Sequence, residues 1–289
     1  MGRGVVFGLM AAFCWGAHSV IVRYLTGGIG GLQIGAMRLL IAAAAIYLIL
    51  RVLNTTISFN WRDRMFQLAV AFTVVNYIFF HVGLQFTGAA NAMVLENTAP
   101  IFVLLFLYFF AAASIGWKEL AATALAVGGA SLIMSLDFDS GRDRLLGDLL
   151  ELAAGVSWAG FLIASSRAMQ ASTSTVERLN FLFGVFLCAG LLMSPLILIH
   201  PVTPSFNDTL FLLLLGIVTA LCYYLWYEAA ATLSTLSATL MFALSVVFTF
   251  INAAVFLGEA ITWLGALGAF MVVCAVVLTS KEKDADKRL

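Results

Sequence analysis

The chain has 289 residues, 63% of them hydrophobic and only 10% charged, with 15 Lys and Arg against 15 Asp and Glu and a mean hydropathy of +1.04. Soluble domains run at about 45–50% apolar and about 25% charged, so this composition excludes a soluble globular protein, a disordered chain and a nucleic-acid binder that works through net positive charge. The long apolar runs also exclude a transmembrane β-barrel, whose strands alternate, and leave an all-α polytopic membrane protein.

A helix crosses the bilayer with about 20 residues. The apolar runs divide into ten crossings at 4–25, 31–53, 64–87, 89–113, 118–136, 147–170, 175–199, 209–232, 235–257 and 260–280. The divisions at Thr87-Gly88 and Leu233-Ser234 are forced by length, because 64–113 and 209–257 are each too long for one passage. The first run carries no small-residue cleavage site and is expected to stay in the mature chain. Residues 281–289 form a short mixed-charge tail. Cys14, Cys188, Cys222 and Cys274 lie in apolar runs without CxxC spacing and read as small buried hydrophobes.

Basic residues set the orientation. With the N-terminus in the cytoplasm, the cytoplasmic ends carry Arg3, Arg51, Arg62, Arg64, Lys118, Arg167, Arg178, Lys281, Lys283, Lys287 and Arg288, while the outer loops carry only Arg142 and Arg144. Both termini are therefore expected to be cytoplasmic.

The chain repeats itself. Gly4, Ala11 and Trp15 recur at an offset of 143 as Gly147, Ala154 and Trp158, and Tyr77 recurs as Tyr223 at an offset of 146. Two units follow, 1–140 and 141–280, each with five crossings. Five is odd, so the second unit starts on the opposite side of the membrane and the two are inverted copies around a central cavity. Inverted repeats recur among secondary transporters, with the substrate near the midplane where the repeats meet. A duplicated scaffold or sensor without a pathway is the alternative.

Trp15-Gly16, Arg38, Trp158, Pro100 and the ending Gly258-Glu259-Ala260-Ile261-Thr262 with Gly268 resemble the drug/metabolite transporter superfamily, in its ten-span EamA type. The resemblance covers essentially the whole chain. Two positions depart from it: Ala113 stands at the first-repeat glutamate and Val246 at the second-repeat proline. The aromatic richness and His81 are similar to the YddG-type exporters of aromatic amino acids. The resemblance implies an inner (plasma) membrane carrier of metabolites, amino acids or drugs, without a bound cofactor.

Polar side chains inside a bilayer face the bundle interior or a water-filled path. Asn76, Tyr77, Phe80, His81 and Leu84 share a face of the third crossing, and Asn91, Glu96, Asn97 and Thr98 precede Pro100 in the fourth. The eighth carries Tyr223, Trp226 and Tyr227, with Tyr224 and Glu228 beside them; the ninth carries Ser237, Met241, Ser245 and Asn252 at near-helical spacing. Trp15, His18 and Trp158 come from the first crossing of each repeat. Pro100 cannot bond the carbonyl of Glu96, so a carboxylate and a free backbone oxygen sit beside a kink, suited to an ammonium group or a proton. The alternative is a kink satisfied by Asn97 or Thr98, with Glu96 bonded to another helix. His81 reads as a substrate contact or proton relay, or as an interhelical tie. Tyr223, Trp226 and Tyr227 are suited to stacking on a planar substrate, or to packing. Arg38 reads as a tie to a neighbouring helix.

The sequence has no GxxxxGK[ST] loop, HExxH or GxSxG, so it offers no ATP site and no hydrolase chemistry. His18, His81 and His200 share no metal-ligand spacing. The reading is a non-enzymatic secondary exporter of small metabolites, aromatic or other neutral amino acids first, working by alternating access. Its substrate site draws on His81, Tyr77, Asn76, Glu96, Trp158, Tyr223, Tyr227, Trp15, Met241 and Ser245. Its partners are the small-molecule substrate and the lipid bilayer, with no nucleic acid, and a monomer is compatible with this layout. The alternatives are a multidrug exporter of planar organic cations, using the same aromatic faces and Glu96, and the scaffold or sensor.

Overall fold

The computed structural model describes residues 2–25, 28–87, 89–111, 115–134, 142–199, 203–257 and 261–279. Gly258, Glu259, Ala113, His200 and the 281–289 tail lie outside the described residues, as do the side chains of Arg23, Asn91, Arg142 and Arg144. The regular structure described is helical throughout: α1 (Arg3–Leu25), α2 (Gly31–Val52), α3 (Arg64–Gly83), α4 (Ala89–Glu96), α5 (Ala99–Ala111), α6 (Trp117–Met134), α7 (Arg142–Ala171), α8 (Thr175–Met193), α9 (Pro195–Ile199), α10 (Phe206–Ala230), α11 (Thr235–Leu257) and α12 (Trp263–Thr279).

Polar residues between apolar runs start the helices by satisfying their free N–H groups. Asp63 accepts from Phe66 N at the head of α3. Ser174 accepts from Glu177 N at the head of α8, and Ser205 with Asp208 forms a capping box for α10. Two expected crossings are broken. The fourth divides into α4 and α5 just before Pro100, and the seventh into α8 and α9 at Ser194, just before Pro195, because proline has no N–H to continue the ladder. The sixth begins at Arg142 rather than 147: the charged segment counted as loop is the first turn of a longer helix.

Among the described residues seven stretches are long and apolar enough to cross a bilayer: α2, α3, the α4–α5 pair, α7, α8, α10 and α11. Reaching the ten expected crossings takes α1 (23 residues), α6 (18 residues) and α12 (17 residues) as well. Large apolar side chains such as Leu48, Phe110, Val255 and Val277 cover the outside, as contact with lipid tails requires.

The packing repeats when the halves are exchanged. α3 lies on α7 as α10 lies on α1; α4 and α5 lie on α7 as α11 lies on α1; α3 lies on α8 as α10 lies on α2; α2 pairs with α8 and α6 with α12. The inversion is visible too. Gln170, at the end of α7, donates to the Leu233 carbonyl at 3.2 Å, and a Cβ on Gly4, at the start of α1, would sit 3.1 Å from Leu233 Cγ. The end of α7 thus shares a side with the start of α1, so these equivalent helices run in opposite senses. The α6–α12 pair closes on small residues: a Cβ on Gly129 would lie 2.5 Å from the Gly268 carbonyl, with Ala122, Ala126 and Ala130 buried along α6.

Candidate functional site

Aromatic rings fill the place where α1, α7, α10 and α11 converge. The Trp15 ring lies 4.9 Å from Phe242 and 5.4 Å from Tyr223. Trp158 stacks on Phe161 at 4.9 Å and 15°, and meets Phe242 at 5.1 Å and Tyr223 at 6.1 Å. The two repeat tryptophans face one another edge to face at 6.5 Å. Edge-to-face and offset pairs are the arrangements aromatic quadrupoles favour. The Trp158 indole Nε1 is buried with no hydrogen-bond partner, a donor left open for an acceptor. The rings close on one another in this conformation. A cavity of about 490 Å³ lies elsewhere, between the 55–60 connection and the head of α8, where Asn180 accepts from Ser58 N and holds that connection down.

A polar set borders the rings. Arg38 on α2 places Nη1 2.6 Å from His18 Nε2 on α1 and its guanidinium 4.5 Å above the Tyr77 ring, a cation–π geometry. Arg38 is thus the tie to a neighbouring helix that was expected, yet its Nε remains buried without a partner. Arg38 and Tyr77 both act electrostatically on Tyr223, so the polar set and the ring cluster adjoin. His81 lies against α2, where a Cβ on Gly35 would sit 3.2 Å from Nε2, and its Nδ1 has no partner. Asn76 turns the other way. Its Nδ2 donates to Glu96 Oε1 at 3.1 Å and to the Ala154 carbonyl at 3.0 Å. The expected single face of the third crossing is therefore a wedge, with Asn76 toward α4 and α7 and His81 toward α2.

The break before Pro100 is held by its own polar residues. Thr98 Oγ1 donates to the Leu95 carbonyl at 2.5 Å and Asn97 Nδ2 to the Met93 carbonyl at 2.8 Å, while Glu96 reaches α3 through Asn76. α7 approaches the break closely because residue 155 is glycine: a Cβ there would lie 2.8 Å from the Leu95 carbonyl and 3.2 Å from Thr98 Oγ1. Gly155→Val should force α4–α5 away from α7 and destabilise the chain by about 1–3 kcal/mol. Thermal unfolding of the purified variant in detergent measures this.

The remaining expected residues scatter. Tyr227 hydroxyl pairs with Ser165 Oγ at 3.3 Å, and Trp226 Nε1 donates to the Ala238 carbonyl at 3.0 Å, so these two eighth-crossing aromatics send their polar ends to different helices. Met241 is buried against Gly8 of α1, and Ser245 is buried on α11. At the end of the bundle holding the start of α1, Glu228 accepts from Arg178 Nη1 at 2.9 Å on both oxygens and from Thr175 at 3.2 Å.

Three features were not foreseen: Arg38 at the heart of the polar set, Phe161 and Phe242 in the ring cluster, and Glu151, wholly buried on α7 with both oxygens unpartnered. Glu151 had a signal. Gly147, Glu151, Ala154 and Trp158 fall on one helical stripe, the stripe that carries the repeat identities.

The sequence pattern of the EamA-like transporter family matches residues 2–135 and again residues 145–281. This chain belongs to the EamA-like transporter family. As a family member it is a multi-pass membrane transporter, with the family pattern occurring twice along the chain. Three relatives align over most of their length. An uncharacterized transporter of Archaeoglobus fulgidus is 29% identical over 75% of each chain. The uncharacterized transporter YwfM of Bacillus subtilis is 27% identical over 97% of this chain and 96% of its own. A probable amino-acid metabolite efflux pump of Escherichia coli is 24% identical over 94% and 93%. A crystal structure superposes with a TM-score of 0.83 at 16% identity, over 96% of this EamA chain and 98% of its own, which shows a shared fold.

Proposed function

We propose that this EamA transporter exports small zwitterionic aromatic metabolites, aromatic amino acids foremost, by alternating access between two inverted halves of five crossings each (1–140 and 141–280). The observation that carries the reading is the pairing of an aromatic cluster with opposite charges at the repeat interface. Trp15, Trp158 and Tyr223 offer faces for a ring; Arg38 suits a carboxylate; Glu96, within the field of Arg38, suits an ammonium group. His81, Tyr77 and Asn76 belong to the same wedge on α3, and Tyr227, Met241 and Ser245 complete the proposed set. A zwitterion answers both charges at once, whereas Arg38 opposes a planar dication. The Escherichia coli relative, named for amino-acid metabolite efflux, supports the same class.

The excess of basic residues at one set of ends supports cytoplasmic termini in an inner (plasma) membrane. Arg178 and Glu228 then close the cytoplasmic end, and Gly83 lies toward the outside. Liposomes carrying the full chain should take up labelled tryptophan and phenylalanine saturably and ignore an organic dication. Glu96→Gln should raise the KM for both amino acids. Saturable flux of the dication alone, or an unaltered KM in Glu96→Gln, overturns the reading.

A further inference from the structure

Glu151 sits on α7, one turn after Asp148 and one turn before Gly155, at 0% exposure, and neither carboxyl oxygen has a partner. It is wedged against the end of α3: a Cβ on Gly83 would lie 2.6 Å from Oε1 and 2.9 Å from Cδ, so the carboxyl occupies the space that the missing side chain leaves. The contact joins a helix of the first repeat to a helix of the second, within the group in which α3, α4 and α5 pack on α7.

The helices packed on α7 are α3, α4, α5, α10 and α11. The charged groups acting on Glu151 are Glu96 from α4 and Asp148 from its own preceding turn, both acidic. His81 of α3 turns toward α2, and Tyr77 lies beneath Arg38. Tyr223 and Tyr227 of α10 meet α7 turns further along, at Trp158 and Ser165, and Glu228 is held by Arg178. α5 carries only the exposed Tyr108, and α11 has no acidic, basic or tyrosine side chain. Asp148 accepts from Thr87 Oγ1 at 2.5 Å and Glu96 from Asn76, so of the three carboxyls Glu151 alone lacks a donor. Among the described side chains Glu151 has neither donor nor counter-charge, and an ion so placed in a low-dielectric interior is neutralised by taking up a proton or a cation.

We infer that Glu151 is the proton-carrying residue of export, a role that rests on the transport reading above. In the closed arrangement it is a carboxylic acid lodged on Gly83. When α3 and α7 part, water reaches it. The O–H bond breaks, the proton passes to water and the electron pair stays on the carboxylate. In the opposite orientation, with the other side open, the carboxylate takes a proton from water there, and the contact then closes again on the acid. Protons taken from outside and released inside then drive substrate outward.

Infrared difference spectroscopy of the full chain in lipid tests proton occupancy without any substrate. The wild type and Glu96→Gln should show the C=O stretch of a buried carboxylic acid, and Glu151→Gln should lack it. A wild type without this band, or an undiminished band in Glu151→Gln, overturns the assignment. In proteoliposomes Glu151→Gln should still exchange labelled for unlabelled tryptophan, while a pH gradient no longer drives accumulation. Accumulation in Glu151→Gln under that gradient, or a sodium gradient replacing it in the wild type, likewise overturns it. A wild-type chain that moves no amino acid sinks the transport reading, and the infrared band still decides Glu151.

Discussion

Glu228→Gln should lower the stability of the protein by about 3–5 kcal/mol. Glu228 has 3% of its side chain exposed and Arg178 15%, so both ions of the pair have left water. The attraction in a low-dielectric site repays that cost only while both are present. Removing the carboxylate strands the guanidinium, apart from its Nε bond to Ser172 Oγ at 3.0 Å. Arg3 stands 3.9 Å away but is 76% exposed, and adds little to an already satisfied carboxylate. Because Arg178 heads α8 and Glu228 ends α10, the pair ties two helices together where the first turn of α1 passes. The double replacement Arg178→Leu with Glu228→Leu should recover most of the loss, since two packed apolar side chains carry no stranded charge. Denaturant or thermal unfolding of the three variants in detergent gives the cycle; a single variant as stable as the wild type contradicts the account of this end.

Trp158→Ala should cost about 3–5 kcal/mol and abolish saturable uptake of aromatic amino acids. Trp158 is buried and touches four rings, those of Trp15, Phe161, Tyr223 and Phe242. The cavity left by its removal spans the junction of α1, α7, α10 and α11. Trp158→Phe separates two roles. It keeps the stack on Phe161 and should stay within about 1.5 kcal/mol of the wild type, but it removes the unpartnered indole N–H. If that donor meets substrate, KM rises while stability holds. If Trp158 is packing alone, Trp158→Phe transports as the wild type does.

Much of the architecture was legible from local signals. The apolar runs placed nearly every helix, and the offset that matched Trp15 with Trp158 anticipated two residues that meet at the repeat interface. Pro100 marked the break between α4 and α5, because the lost N–H is a backbone fact independent of tertiary context. What failed to show depended on neighbours. Residues 142–146, with charges at Arg142, Asp143 and Arg144, suggested a loop, yet they form more than a turn at the head of α7. Arg38 is the interhelical tie its sequence suggests, but spacing cannot show which helix lies opposite, and only packing puts it between His18 and Tyr77. Tyr223, Trp226 and Tyr227 suggested one stripe; Tyr223 and Trp226 do share Phe161, but the polar ends of Trp226 and Tyr227 turn to different helices, α11 and α7. Glu151 escaped because one carboxylate in a crossing carries no mark of its missing donor. The family match fixes the class of activity, whereas the substrate is argued from the charges around the rings.

Counterflow in proteoliposomes tests the central claim most directly. Vesicles holding the full chain and loaded with unlabelled tryptophan should draw labelled tryptophan transiently above its equilibrium level, and vesicles holding Trp158→Ala should not. No overshoot with any aromatic amino acid, or the same overshoot in Trp158→Ala as in the wild type, would contradict a zwitterion site between the two repeats.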